Sequence, residues 1–231
     1  MPLNQHRTNL TQTPSKIRFS KIFRRIRKRI ALLDYPPGTR IEIDKLAQEF
    51  AVSRTPIRSV LHRLEFEGLV VTNHGVGTMV TDIDISGLRF IWEFRAKLAE
   101  MIGQLRPLPP SSKHLDELAG LQKNIIKLHD DFTPRKFGEI SLRFHHCIVS
   151  LIGHPQLARV YDELYYRSAR MWISFLNKLN HESEIGLFSD DINGVRHALK
   201  RNDMVAVGYI LRNSLNAVVW RLDRLIGIRT E

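Results

Sequence analysis

The stretch Ala51–Val71 reads AVSRTPIRSVLHRLEFEGLVV, and its reading decides the amino-terminal part of the chain. Ser53-Arg54-Thr55-Pro56 is a helix-start signal. Proline is favoured in the first helical turn, where its missing N–H costs nothing, and a Ser or Thr just upstream can cap exposed amides. Ile57, Leu61 and Leu64 follow at i, i+4 and i+7, which is one face of a helix. Arg54, Arg58 and His62, also spaced by four, occupy the other side. A short helix with an aliphatic stripe and two arginines near its N-terminus is shaped to enter a DNA major groove. There Arg forks pair with guanine O6/N7 or with phosphates. Taken alone, the segment fits equally well as a solvated basic face on an ordinary surface helix.

The flanking residues favour the first reading. Residues 1–14 are polar, lack periodicity and end in Pro14, the pattern of a flexible arm. From Lys16 to Leu33 the spacing is helical, with Ile17, Ile22, Ile26, Ile30 and Leu33 on one side. The other faces carry Arg18, Lys21, Arg24, Arg25, Arg27, Lys28 and Arg29. In isolation this could be a membrane-surface helix, a targeting helix, or the first helix of a DNA-binding domain. Pro36-Pro37-Gly38 then makes a turn, Asp44 opens a short helix through Leu46, Ala47 and Phe50, and Ala51-Val52 links it to the Arg54 helix. Two short helices so tightly joined predict a helix-turn-helix. Leu69–Thr72 and Thr78–Thr81 flank Asn73-His74-Gly75-Val76-Gly77 as a β-hairpin. Helix, helix-turn-helix and hairpin, in that order, spell a winged helix.

Composition agrees. A chain of 231 residues exceeds the usual single domain, so two domains are expected. The formal net charge of +11 and the sequence pI near 10.1 call for a polyanionic partner. Residues 1–85 hold fourteen basic against eight acidic residues, and 86–231 hold twenty-one against sixteen, so the smaller piece is the more basic per residue. A single cysteine, Cys147, excludes an internal disulfide framework and any multi-cysteine metal site. No apolar run approaches a membrane span and no secretory signal is visible near Met1, which predicts a cytoplasmic protein without a membrane partner.

The segment Lys16–Asp82 resembles the GntR family of bacterial transcription regulators. The resemblance is carried by Pro37-Gly38-Thr39-Arg40-Ile41, Leu46-Ala47, Val52–Arg58, Leu61–Glu65 and Glu67-Gly68-Leu69-Val70. It implies that Arg54 and Arg58 contact bases and phosphates and that Ser53 and Thr55 donate hydroxyls to phosphates. His74-Gly75 becomes the wing tip, and Arg40 and His62 complete the DNA-facing set. Two positions depart from the family. Ser59 stands where Glu is usual, and Leu33 replaces the usual Gly before the Pro-Gly turn.

After a hinge at 83–86, residues 87–231 read as helices throughout, at about 87–105, 111–131, 134–152, 155–178, 183–200 and 202–227. The expected fold is mainly α: a winged helix-turn-helix at 15–82 followed by an all-α bundle of six or seven helices that can enclose a pocket. The bundle resembles the FCD-type ligand-binding domain that often follows a GntR winged helix. The matches are Glu93-Phe94-Arg95, Phe144-His145, Gly153–Leu157, and Ala198-Leu199 with Asp203. In that domain an Asp and three His commonly hold a divalent metal. By position these are Ser141, His145, Ile192 and Ser214, so three of the four ligands are absent and no metal is expected. His146, Glu139, Asp190, Asp191 and His197 lie close enough in sequence to be weighed as substitutes.

Arg95 and His145, with Ser141 and Ser214, are then expected to bind a small anionic effector, a carboxylate above all. Plain alternatives are an ion pair of Arg95 with Glu93 or Glu100 and a hydrogen-bonded core histidine at position 145. Tyr165, Tyr166, Trp172 and Phe175 are expected to pack the core or a subunit interface. The whole predicts a homodimeric repressor on a pseudo-palindromic double-stranded operator, controlled by a small molecule. A constitutive regulator whose bundle only dimerises stays open beside it. An enzyme does not fit, because no catalytic motif is present, and His145-His146-Cys147 places neighbours on different sides of one helix.

Overall fold

The structure is a computed structural model that describes residues 13–226. Residues 1–12 of the expected arm lie outside it. Helix α1, Pro14–Ala31, begins earlier than the sequence pattern implies because Thr13 caps it and Pro14 takes its first position. The same device starts α6 (Pro134–Val149) behind Thr133 and α7 (Pro155–Phe175) behind His154, so these prolines open helices rather than merely ending their predecessors.

The amino-terminal domain continues with α2 (Ile43–Glu49) and α3 (Arg54–Phe66), the helix-turn-helix. Ala51 turns the chain between them at φ +50°. Gly68, at φ +71°, lets the chain leave α3, with Leu69 N–H bonded back to the carbonyl of Leu64. The hairpin follows: β1 (Val70–Asn73) pairs antiparallel with β2 (Gly77–Val80) in the register Val70 to Val80, and Arg40 bridges to Met79 on the far side. Ile22, Ile26, Ile30, Ile57, Leu61, Leu64 and Leu69 belong to the core; of the α1 stripe read from the sequence, Ile17 is instead exposed and Leu33 packs on the bundle core.

Six further helices make the bundle: α4 (Ile85–Ile102), α5 (Ser112–Ile126), α6, α7, α8 (His181–Lys200) and α9 (Met204–Ile226). Single 3-10 turns at Lys127–His129 and Leu176–Lys178 extend α5 and α7, which is why the sequence pattern overruns their α-helical ends. Because β2 ends at Val80 and α4 starts at Ile85, the connection between domains lies at 81–84, two residues before the expected hinge at 83–86.

The two cores interlock. Leu142, Tyr165, Tyr166 and Ala169 of α6 and α7 close the winged-helix core, while Leu32, just past α1, packs into the bundle core. Gly138 makes room for Leu32: a Cβ there would lie 2.9 Å from Leu32 Cδ2 and 2.6 Å from Ile173 Cδ1.

Candidate functional site

Helix α3 buries Ile57, Val60, Leu61 and Leu64, so the residues between them must face outward. Ser53, Arg54, Thr55, Arg58 and His62 are all exposed there. Ser53 occupies the N-cap position but its side chain accepts no amide bond, contrary to the capping role its position suggests. Arg54 pairs with Asp44 of α2, Nε to Oδ1 2.5 Å and Nη2 to Oδ2 3.1 Å. Both side chains are solvated, and such a pair is worth ~0–1 kcal/mol, so a phosphate or guanine can displace the carboxylate readily. Arg58 makes no ion pair among the described residues. Arg40, His74 and Gly75 belong to the neighbouring hairpin, also exposed. Arg40 lies along β2 against Gly77, and Gly75 turns the tip at φ +77°.

Arg27 departs from the sequence reading, which puts it on the solvated side of α1: it is 5% exposed. Its Nε lies 2.7 Å from Glu67 at the end of α3, its Nη1 lies 2.5 Å from Asp162 on α7, and its guanidinium covers the Tyr166 ring at 3.7 Å. Asp162 also accepts a 2.9 Å hydrogen bond from His145 Nε2. Burial works against the Asp162 carboxylate, but His145 and Arg27 outweigh it and hold its pKa far below the usual range. For Glu67 burial prevails over Arg27 and Arg63, and its pKa rises. Two more arginines fasten the domains: Arg63 donates to Glu163 at 2.8 Å, and Arg170 donates to the Thr81 carbonyl at 2.6 Å, Thr81 Oγ1 at 2.7 Å and the Asp82 carbonyl at 3.1 Å.

The bundle encloses a cavity of ≈ 100 Å³. Arg95, Ser141, His145, Asp191, Ser214 and the pair Glu184–Arg221 supply its polar lining, and Trp92, Phe144, Tyr161, Tyr165, Trp172 and Phe188 are among its aromatic walls. All four sequence-expected residues therefore converge here. Arg95, 4% exposed, has no carboxylate in ion-pair range among the described residues. Glu93 pairs instead with Arg89, and Glu100 with Lys97 and Arg212. Arg95 donates to Ser168 Oγ at 2.8 Å and lies near the faces of Trp92, Tyr161 and Tyr165 at 5.0–5.5 Å, while its Nε is buried without a partner. His145 stacks on Tyr165 at 3.8 Å, and burial pushes its pKa down to about 4, so the ring is neutral. Of the four aromatics expected in core or interface, Tyr165 and Trp172 line this cavity, Tyr166 lies under Arg27, and Phe175 is in the bundle core. Glu184 and Arg221 are site residues that the sequence reading missed, whereas Asp191, weighed there as a substitute metal ligand, does line the cavity. Asp191 stands one position before Ile192, and only the turn of α8 reveals which of the two faces inward.

The side chains at the positions implied for a divalent metal do not fit one. Ser141 Oγ is hydrogen-bonded to Tyr165 Oη, Ser214 Oγ donates to Asp191 Oδ2, and His145 directs Nε2 at Asp162. Ile192 is apolar and wholly buried. Of the substitutes, Asp191 alone lines the cavity, where its Oδ2 accepts from Ser214; His146 bonds Tyr166, Glu139 pairs with Lys28 and Arg135, and Asp190 and His197 lie outside the lining. Cys147 is buried with its thiol pushed up to about 11, chiefly by burial, and neither neighbouring histidine bonds it.

Among the described residues no helix is long and apolar enough to cross a membrane. The chain is 28% identical over 151 residues to an uncharacterized HTH-type transcriptional regulator in an unstable DNA locus of Streptomyces ambofaciens. That match spans 63% of this chain and 61% of that relative's length. It is 27% identical over 161 residues to the Nta operon transcriptional regulator of Aminobacter aminovorans, covering 67% and 74%. In fold it is similar to E. coli McbR/YncC, with a TM-score of 0.76 at 17% identity, over 90% of this chain and 98% of that one. Residues 19–80, which make up most of the winged helix, match the family described as bacterial regulatory proteins, gntR family.

Proposed function

We propose that the protein is a sequence-specific DNA-binding transcription regulator of the FCD-bearing GntR type, a repressor that acts as a dimer and answers to a small effector in the bundle cavity. The observation that carries this is the outward side of α3, where Arg54, Arg58 and His62 stand exposed over a fully buried aliphatic stripe, beside a wing tipped by His74 and Gly75. The regulators similar to it in sequence support the same reading.

A second copy is the partner that the bundle surface suits. Phe90, Phe94 and Met101 on α4 and Val205, Tyr209 and Trp220 on α9 are exposed at helical spacing on two helices that pack together. Phe90 at 69% and Trp220 at 52% are large rings to leave in water. Pairing them about a twofold presents two α3 helices to a pseudo-palindromic site.

Selection of bound sequences from random DNA tests the reading: it should return an inverted repeat. Arg58→Ala should then lose discrimination for that repeat in a gel shift while keeping its circular dichroism spectrum. Operator binding by Arg58→Ala as tight as wild type would remove α3 as the reading helix.

A further inference from the structure

The charges around the cavity do not suit a simple anion. Of its ionised groups, Glu184 and Arg221 already pair at 3.1 Å. Two remain without an opposite charge in ion-pair range among the described residues: Arg95 on α4 and Asp191 on α8. Asp191 has only the hydroxyl of Ser214 on one of its oxygens. Arg95 has a neutral serine and aromatic faces, with Nε buried and unbonded. Desolvating a lone guanidinium and a lone carboxylate is costly, and each is relieved by a ligand group of the opposite sign.

The two lie apart. Helix α4 packs on α7 and α9, and α8 packs on α5 and α9, so α9 stands between the walls that carry Arg95 and Asp191. Neighbouring helix axes stand ~8–10 Å apart, so the backbones that carry the two groups are farther apart than one helix spacing, and aromatic side chains line the same cavity. A ligand with its opposite charges at its two ends suits groups held on two different helices, α4 and α8.

We propose that the cavity binds an ω-amino carboxylate, a short linear molecule with its carboxylate on Arg95, its ammonium on Asp191 and Ser214, and its methylenes against the aromatic walls. This rests on the reading of the cavity as an effector site and replaces a plain carboxylate by a molecule of both signs. Guanidinium and carboxylate supply the fork for one end. The other end gains a charged acceptor, Asp191, whose pKa burial raises to about 6 against the opposing pull of Ser214 and Arg221.

The test is calorimetric titration of the full chain near neutral pH with δ-aminovalerate and ε-aminocaproate. The controls are valerate, which lacks the ammonium, pentylamine, which lacks the carboxylate, and norvaline, whose charges share one carbon. At least one of the two ω-amino acids should bind about ten- to a hundredfold more tightly than every control. Asp191→Asn, which removes a buried charge and should keep the fold, should erase the advantage over valerate. If valerate binds as well as δ-aminovalerate, or the preference survives in Asp191→Asn, the ammonium contact is overturned and the cavity remains an effector site. Silence from every probe overturns both the ω-amino acid and the effector reading it rests on.

Discussion

Arg27 on α1 reaches across the domain boundary to Asp162 on α7, Nη1 to Oδ2 2.5 Å, and the same carboxylate accepts from His145 in the cavity wall. Removing the cation leaves two acids, Glu67 and Asp162, facing each other's buried surroundings without that counter-charge. Arg27→Met should therefore cost about 3–5 kcal/mol in denaturant unfolding. In a double-mutant cycle with Asp162→Asn, the second substitution should cost less in the Arg27→Met background than in wild type. Additive losses would show that the ion pair contributes nothing of its own.

Two non-glycine residues stand in the left-handed region at turns of the winged helix: Ala51 at φ +50° and Leu33 at φ +61°. An L side chain there costs ~1–2 kcal/mol. Ala51 is exposed, so Ala51→Gly should raise stability by about 1 kcal/mol or somewhat less, read as a shift in the denaturant midpoint. Leu33 is half-buried against the bundle core, so Leu33→Gly relieves the backbone but forfeits apolar contact. Its net gain should be smaller than that of Ala51→Gly, or negative.

Gly138→Ala tests how tightly the end of α1 is seated. The added methyl meets Ile173 at 2.6 Å and Leu32 at 2.9 Å, and overpacking of this kind costs ~1–3 kcal/mol. Thermal unfolding should show the loss, and Ile173→Val in the same chain should recover part of it.

The cavity also sets a pH signature. Burial holds His145 at about 4 against an ordinary 6.5, so the folded chain loses stability as pH falls from 6.5 to 4, where only the unfolded chain takes up that proton. Asp191 works in reverse. Pushed up to about 6 from 3.8, chiefly by burial, it is a penalty at neutral pH that fades as pH falls through 6 towards 4. Each amounts to ~3 kcal/mol, and the two largely cancel. Glu184, raised by burial, adds to the side of Asp191, and Asp162 gives way only at more acid pH. Asp191→Asn should thus be the more stable protein at pH 7, and its lead over wild type should vanish by about pH 4 in paired thermal melts.

What the sequence made legible follows from where the information lies. The outward side of α3 is set by residues three and four apart, so Arg54, Arg58 and His62 could be placed from the spacing of Ile57, Leu61 and Leu64 alone. Leu33, read from its spacing as the end of the α1 stripe, stands past the helix at φ +61°, where the family's usual glycine would sit without strain. Arg27 was not legible. It sits among seven other basic residues on α1, and its burial depends on Glu67 and on Asp162, which lies 135 positions away. Asp191 was legible only as one of several nearby substitutes: whether it or Ile192 faces the cavity is a matter of one helical step, fixed by the packing of α8 on α5 and α9.

Arg170 leaves the link between the domains little freedom to swivel. With three hydrogen bonds on Thr81 and Asp82, and Thr81 in turn bonded to the Gly68 carbonyl at 2.9 Å, it binds the strap to the bundle on one side and to the end of α3 on the other. In the proposed dimer each subunit is then one leg of a pair of dividers: stiff from bundle to point, with the pivot where the two legs meet. In such an instrument the span between points is changed by the angle at the pivot and not by bending a leg. An occupant of the cavity would retune operator spacing through the α4 and α9 face, and loosening Arg170 would blunt the instrument rather than reset it.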